Sequence, residues 1–207
     1  MPCKVLRMEK RVTRGRPRDE AARRAILDAA LRLCARDGYD ALTMKAIATE
    51  AGVGRQTVYR WWPAKSAVLM EALRDLTARV ADRVGVSGDA LDDIRVVLRL
   101  TFRALREVSG PALSGLMADA QHDQALADEL QSTILGPRRD ALRAIIEHGV
   151  ETGQLRASVD PALVVDMVFG TMWYRLLSHH APVDDRLADD LVAAVGALLA
   201  PPPRRGR

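Results

Sequence analysis

The sequence predicts an all-α protein: a three-helix head ending in a helix-turn-helix, then a longer helical body, about nine helices in total. Three observations carry that prediction. Apolar residues recur three and four apart in one segment after another, the spacing of a buried helical face. Nearly half the residues are apolar, aromatics are only 4%, and Ala, Leu, Arg and Asp abound, a composition that favours helix over sheet. Gly, Pro and Asp fall where helices end and begin. At 207 residues the chain can bury a good core.

Residues 1–18 form a basic leader in which Lys4, Arg7, Lys10, Arg11, Arg14, Arg16 and Arg18 face only Glu9. Two readings stay open: a solvated leader, or an arm that gathers phosphate or enters a minor groove. Residues 19–37 make the first helix, with Ala22, Ile26, Ala29, Ala30 and Leu33 as its core stripe. Gly38 ends it, and Tyr39 and Leu42 lock the connection onto that stripe. Thr43 stands at an N-cap. Met44, Ile47, Ala48 and Ala51 give the second helix one buried face, Gly52 supplies the left-handed turn and Val53 plugs it. In the next helix Val58 and Trp62 face inward together. Around them Arg55, Gln56, Thr57, Tyr59 and Arg60 form a polar, cationic surface pointing away.

Pro63 is expected in the first turn of a fourth helix carrying Val68, Leu69, Ala72, Leu73 and Leu76 and ending near Gly85. Nothing Gly- or Pro-rich separates head from body, so the boundary falls inside this helix, with the head over 19–66 and the body over 67–200. A long helix with a seam of Ile94, Leu98, Thr101, Leu105 and Val108 is expected to stop at Ser109-Gly110-Pro111. A short helix over 112–120 brings Leu113, Leu116 and Met117. Helix over 122–135 is broken or kinked by Gly136-Pro137 and resumes to 151. Asp160-Pro161 opens a helix that is apolar most of the way round, and Asp184 caps the last one. There Leu187, Leu191, Ala194 and Leu198 form one stripe, and Val192, Val195 and Leu199 a second. Two stripes need two buried surfaces. Either the pair lies deep in a monomer, or Trp173, Leu177, Leu187, Leu191, Ala194 and Leu198 meet a second copy as a four-helix homodimer interface. Residues 201–207 are a solvated tail.

The charge is unevenly placed. Through Arg60 there are 14 Lys/Arg against 7 Asp/Glu, whereas the rest of the chain holds 17 against 20. The basic surplus therefore sits with the helix-turn-helix, as attraction to phosphate requires. No acidic residue occurs from Ala51 to Ala64, although a solvated helix mixes both signs. Arg and Gln suit base edges in a major groove, and Thr and Tyr hydroxyls suit phosphate oxygens. Arg55, Gln56 and Thr57 are the candidates for base edges and Thr43, Tyr59 and Lys65 for phosphates, with Arg60 open to either role.

The run T-M-K-A-I-A-T-E-A-G-V-G-R-Q-T-V-Y-R-W-W-P-A-K-S-A-V-L resembles the DNA-binding signature of the TetR family of bacterial one-component repressors. Tyr59, Trp62, Lys65 and the Gly52-Val53 turn fall at the family's marked positions. Trp61-Trp62 replaces the commoner tyrosine-phenylalanine pair. The resemblance covers residues 21–69; beyond them it is one of length and helical pattern. It implies a dimeric regulator that grips a near-palindromic duplex operator and releases it when a small ligand enters the body. Phe102, Met117, Phe169 and Met172 are candidates to line that cavity, with Arg106 or Gln121 as polar handles, although such residues are also plain core. The alternatives are an activator or a sequence-tolerant architectural protein with the same head.

Other chemistry finds little footing. His122, His148, His179 and His180 are scattered, and no HExxH, GxSxG, Walker loop or strand-borne GxGxxG occurs, so no enzyme, metal site or cofactor is expected. Cys3 and Cys34 are isolated thiols. The start lacks a signal-peptide core, and the most apolar run, 161–177, is interrupted by Asp166 and Arg175 and too short to span a bilayer. A cytoplasmic, reducing home without membrane partners is expected.

Overall fold

A computed structural model describes residues 19–81 and 87–200. The basic leader with Cys3, the predicted helix end near Gly85 and the tail all lie outside those residues. The described chain is helical throughout. The head comprises α1 (Glu20–Asp37), α2 (Met44–Glu50) and α3 (Arg55–Trp61), and α4 (Lys65–Ala81) leads out of it. The body comprises α5 (Ala90–Ala104), α6 (Gly110–Ala120), α7 (Gln124–Leu130), α8 (Gly136–Glu151), α9 (Pro161–Ser178) and α10 (Asp185–Leu198).

Helix starts follow local chemistry. The carboxylate of Asp19 accepts from the amides of Ala21 and Ala22, and those of Asp89, Asp123, Asp160 and Asp184 do the same for α5, α7, α9 and α10. Each satisfies a first-turn donor that has no partner within its own helix. The helix-turn-helix turns on Gly52, at φ +66°. Pro63 stands two residues ahead of α4 rather than inside its first turn.

The predicted stop at Ser109-Gly110-Pro111 does not occur, and helix runs on through Gly136-Pro137, where a break or kink is expected. Residues 90–120 form one continuous rod, because a π turn over Leu105–Ser109 joins α5 to α6, and a second over Gln131–Leu135 joins α7 to α8. The described chain thus holds eight rods rather than nine. A proline has no amide to donate, and its ring presses on the carbonyl four residues back. Widening the preceding turn by one residue relieves that clash, and the amides of Gly110 and Gly136 bond back to the carbonyls of Leu105 and Gln131. Only glycine fits before each proline. A Cβ at position 110 would lie 2.6 Å from the Leu105 oxygen, and one at 136 would lie 2.9 Å from the Gln131 oxygen.

One core runs through head and body. Ile26, Ile47, Val58, Leu69 and Leu73 fill the head, while Ile94, Leu98, Phe102, Leu113, Leu116, Ile134 and Leu142 fill the body. Cys34 belongs to this core, and burial pushes its thiol up to about 11 against the opposing pull of Lys65. Two polar ties clamp α4 onto the rest of the head. The Arg23 guanidinium meets Glu71 at 2.5 Å, Asp75 at 2.6 Å and Glu20 at 2.9 Å. Burial opposes its charge, but those carboxylates more than offset the burial and raise its pKa. Glu71 also accepts the indole N–H of Trp62 at 2.7 Å, so one carboxylate binds α1, α4 and the end of α3.

A third tie joins head to body. Tyr39 is buried between α1 and α2, and its hydroxyl donates to Asp119 on α6. Gly115 leaves room for the ring, since a Cβ there would stand 2.0 Å from Tyr39 Cγ. Lys65 Nζ donates to the Tyr39 carbonyl at 2.7 Å and lies 4.2 Å from the ring centroid. Burial, then the bond to Asp119, raise the phenol pKa above its ordinary value.

Candidate nucleic-acid interface and ligand cavities

The helix-turn-helix presents the face its sequence predicts. Val58 and Trp62 are buried beneath α3, whereas Arg55, Gln56, Tyr59 and Arg60 are exposed and Thr57 is half-buried at the helix edge. Tyr59 keeps 56% of its surface in water. Among the described residues neither Arg55 nor Arg60 pairs with a carboxylate; Arg60 lies 5.7 Å from the Trp61 ring centroid. Unneutralised cations on one exposed helix form a surface ready for an anion. Trp61 and Trp62 meet edge to face at 5.6 Å, which fixes the end of the helix that presents them.

Flanking groups complete the surface. Thr43 Oγ1 accepts from the Ala46 amide at 3.1 Å, which leaves its hydroxyl proton free to donate outward. Lys65 is half-buried with one of its three N–H groups on the Tyr39 carbonyl, so it also holds the loop between α1 and α2. The seven residues thus fall into two groups: five on α3, and a flanking pair bonded into the scaffold.

The six candidate ligand residues do not converge. Arg106 lines a 680 Å³ cavity at the junction of head and body, alongside Tyr39, Asp119, Arg175 and His179. Phe169 and Met172 line a separate 400 Å³ cavity between α6, α8 and α9. Phe102 is sealed in the core, Met117 packs on its edge, and the exposed Gln121 bonds back to the Met117 carbonyl. Both cavities border a π turn, which sequence alone did not disclose. Arg138 on the smaller cavity and Tyr39 and Asp119 on the larger were missed as well.

The outer helices show a stripe that the sequence reading placed one face away. Leu163, Met167, Tyr174 and Leu177 are all more than half exposed, with Gly170 between them, at a spacing of four and three along α9. Leu177 was predicted there; the others were legible only as a helix apolar most of the way round. On α10, Leu187 is 2% exposed and faces its own subunit's core, which corrects its assignment to an outer stripe. Ala194 is exposed, and Trp173, Leu191 and Leu198 are half-buried at the edge of that core. Among the described residues no helix is long and apolar enough to cross a membrane, and no group of three His, Cys, Asp or Glu residues is placed to hold a metal.

Comparison with known proteins meets this geometry at both ends of the chain. Residues 26–72 match the model of bacterial regulatory proteins of the tetR family, and residues 86–195 that of the tetracyclin repressor-like C-terminal domain. The chain is 35% identical over 181 residues to the uncharacterized HTH-type transcriptional regulator YdeS of Bacillus subtilis (strain 168), covering 86% of this chain and 90% of that protein. It is 27% identical over 179 residues to the DNA-binding transcriptional repressor TetR of Mycobacteroides abscessus, covering 84% and 94%. The crystal structure of the TetR family transcription regulator SCO0332 superposes with a TM-score of 0.65 at 30% identity, covering 87% of this chain and 99% of that one. An exposed cationic helix in the head and family matches over both head and body leave one assignment: the chain belongs to the TetR family of DNA-binding transcriptional regulators.

Proposed function

We propose that the protein is a homodimeric repressor that inserts α3 of each subunit into a major groove of a near-palindromic operator and lets go when a small ligand occupies the body. The observation that carries this reading is the face of α3, where Arg55, Gln56, Tyr59 and Arg60 stand exposed on a helix without a single carboxylate. Arg55, Gln56 and Thr57 read base edges, Thr43, Tyr59 and Lys65 hold phosphates, and Arg60 serves either role. The head over 19–66 reads and the body over 67–200 senses, with α4 shared between them. Dimerisation through the outer stripe of α9 and the edge of α10 sets the two reading helices about one helical turn of DNA apart, or a small multiple of it.

Selection of the purified protein against random duplex DNA at near-physiological salt tests the reading. A symmetric enriched site is the expected result, and a folded protein that enriches nothing would overturn it. On that site, Arg55→Ala and Gln56→Ala are each expected to weaken binding by about 1–3 kcal/mol at particular base pairs, read by titration against single-base operator variants. Unchanged base preference would unseat α3 as the reading helix. Lys65→Ala is expected to weaken all duplexes alike and to flatten the salt dependence by about one unit, because two of its N–H groups remain for phosphate. An unaltered salt slope would confine Lys65 to its bond with Tyr39.

A further inference from the structure

Arg138 is the side chain the reading above leaves without a purpose. It follows Gly136-Pro137 in α8 and is largely enclosed, with one N–H group donating to the Thr77 hydroxyl at 2.9 Å. Among the described residues it meets no carboxylate, whereas the partly buried Arg23 meets three. A guanidinium withdrawn from water without a counter-ion is unfavourable, and burial accordingly pulls its pKa down to about 10. Its neighbour Arg139 is neutralised by Asp166. Both arginines line the 400 Å³ cavity, whose remaining walls include Leu113, Phe169, Met172 and the side of Gln131. The cavity therefore has an apolar body, one excess positive charge and a volume within the range of small-molecule sites.

We propose that this cavity is the effector site and that its occupant is a monoanionic amphiphile, with a carboxylate seated on the Arg138 guanidinium and a hydrocarbon or aryl body against Leu113, Phe169 and Met172. The proposal rests on the ligand-released reading above and names the ligand class. A carboxylate offers two acceptor oxygens to the planar fork of donors, of which Thr77 occupies one. The route to DNA is short. Thr77 lies on α4, two residues beyond Asp75, and Asp75 and Glu71 bind Arg23 of the reading head. A ligand that draws Arg138 away from Thr77 shifts the hold of the body on that shared helix.

Titration calorimetry of the full chain with octanoate, phenylacetate and 4-phenylbutyrate, each beside its primary amide, tests the site. At least one acid is expected to bind and to exceed its amide on the order of tenfold to a hundredfold, the range of a charge-assisted hydrogen bond. Arg138→Gln is expected to abolish that preference, and Arg138→Lys, which keeps the charge and secures the test should the glutamine variant fold poorly, to retain part of it. Acids that bind wild-type protein no better than their amides, or a preference that survives Arg138→Gln, would overturn the site. Operator affinity measured on the same samples separates the two readings. Selective acid binding that leaves a working operator complex intact supports the site and removes its role in release, whereas loss of acid selectivity in a protein that still holds its operator overturns the site alone.

Discussion

Leu177→Arg is expected to leave the protein monomeric and to weaken operator binding by roughly 10²–10⁴-fold, the gain that linkage of two binding modules confers. Leu163, Met167, Tyr174 and Leu177 stand exposed along one side of α9, a run of large apolar groups that a monomer rarely leaves in water. Gly170 lies within the run, and a Cβ there would meet nothing within 4 Å, so a second helix can approach closely. In the proposed dimer, two such stripes packed about a two-fold axis would make the α9–α10 pairs of two subunits a four-helix interface. Because Leu177 is 53% exposed in the subunit, arginine there strains nothing within the chain. Helix content should stay unchanged while sedimentation reports half the mass. A dimer of unaltered mass would remove α9 from the interface. The same change at Leu187 would instead place a charge in the core and unfold the subunit.

Glu71→Ala is expected to destabilise the protein by about 3 kcal/mol, at the lower end of the range for breaking an enclosed ion pair. The Glu71 side chain is 13% exposed, receives Arg23 at 2.5 Å and accepts the Trp62 indole at 2.7 Å. Removing it strips Arg23 of one counter-charge and Trp62 of that bond, and it loosens the end of α3 from α4. Glu71→Gln, which keeps an acceptor for Trp62, should lose less. Urea denaturation followed by tryptophan fluorescence measures both. Equal stability of wild type and alanine variant would show that Asp75 alone suffices to hold Arg23 of α1 against α4.

The head was almost wholly legible in the sequence, because its structure is written locally: a threonine cap, a glycine at positive φ, and apolar residues on one face of each short helix. The body was less so. Ser109-Gly110-Pro111 read as a stop and Gly136-Pro137 as a break or kink, since propensity describes a proline in an α-helix and says nothing of a wider turn that admits it. The split of α10 into an inner and an outer face was set by packing on α5, so Leu187 and Leu191 fell on different sides of a line that spacing alone does not draw. Arg138 and Thr77 are 61 residues apart, and no local pattern announces a meeting of that kind.

The two π turns also carry a consequence for how sequences of this kind tolerate change in length. Each turn absorbs one residue more than a regular helix needs, so it marks a place where one residue can be lost or gained without changing the helical phase on either side. Deleting one residue from 105–109, with Pro111 replaced, would return the rod to ordinary α geometry. All that follows in the rod would keep its facing, so Gly115 and Asp119 would still meet Tyr39. The same deletion from a regular stretch of the rod would turn everything beyond it by about 100° and draw it back by about 1.5 Å. A one-residue gap in an alignment at either Gly-Pro pair is therefore compatible with an unchanged seat of the head on the body, which a gap elsewhere in these rods is not.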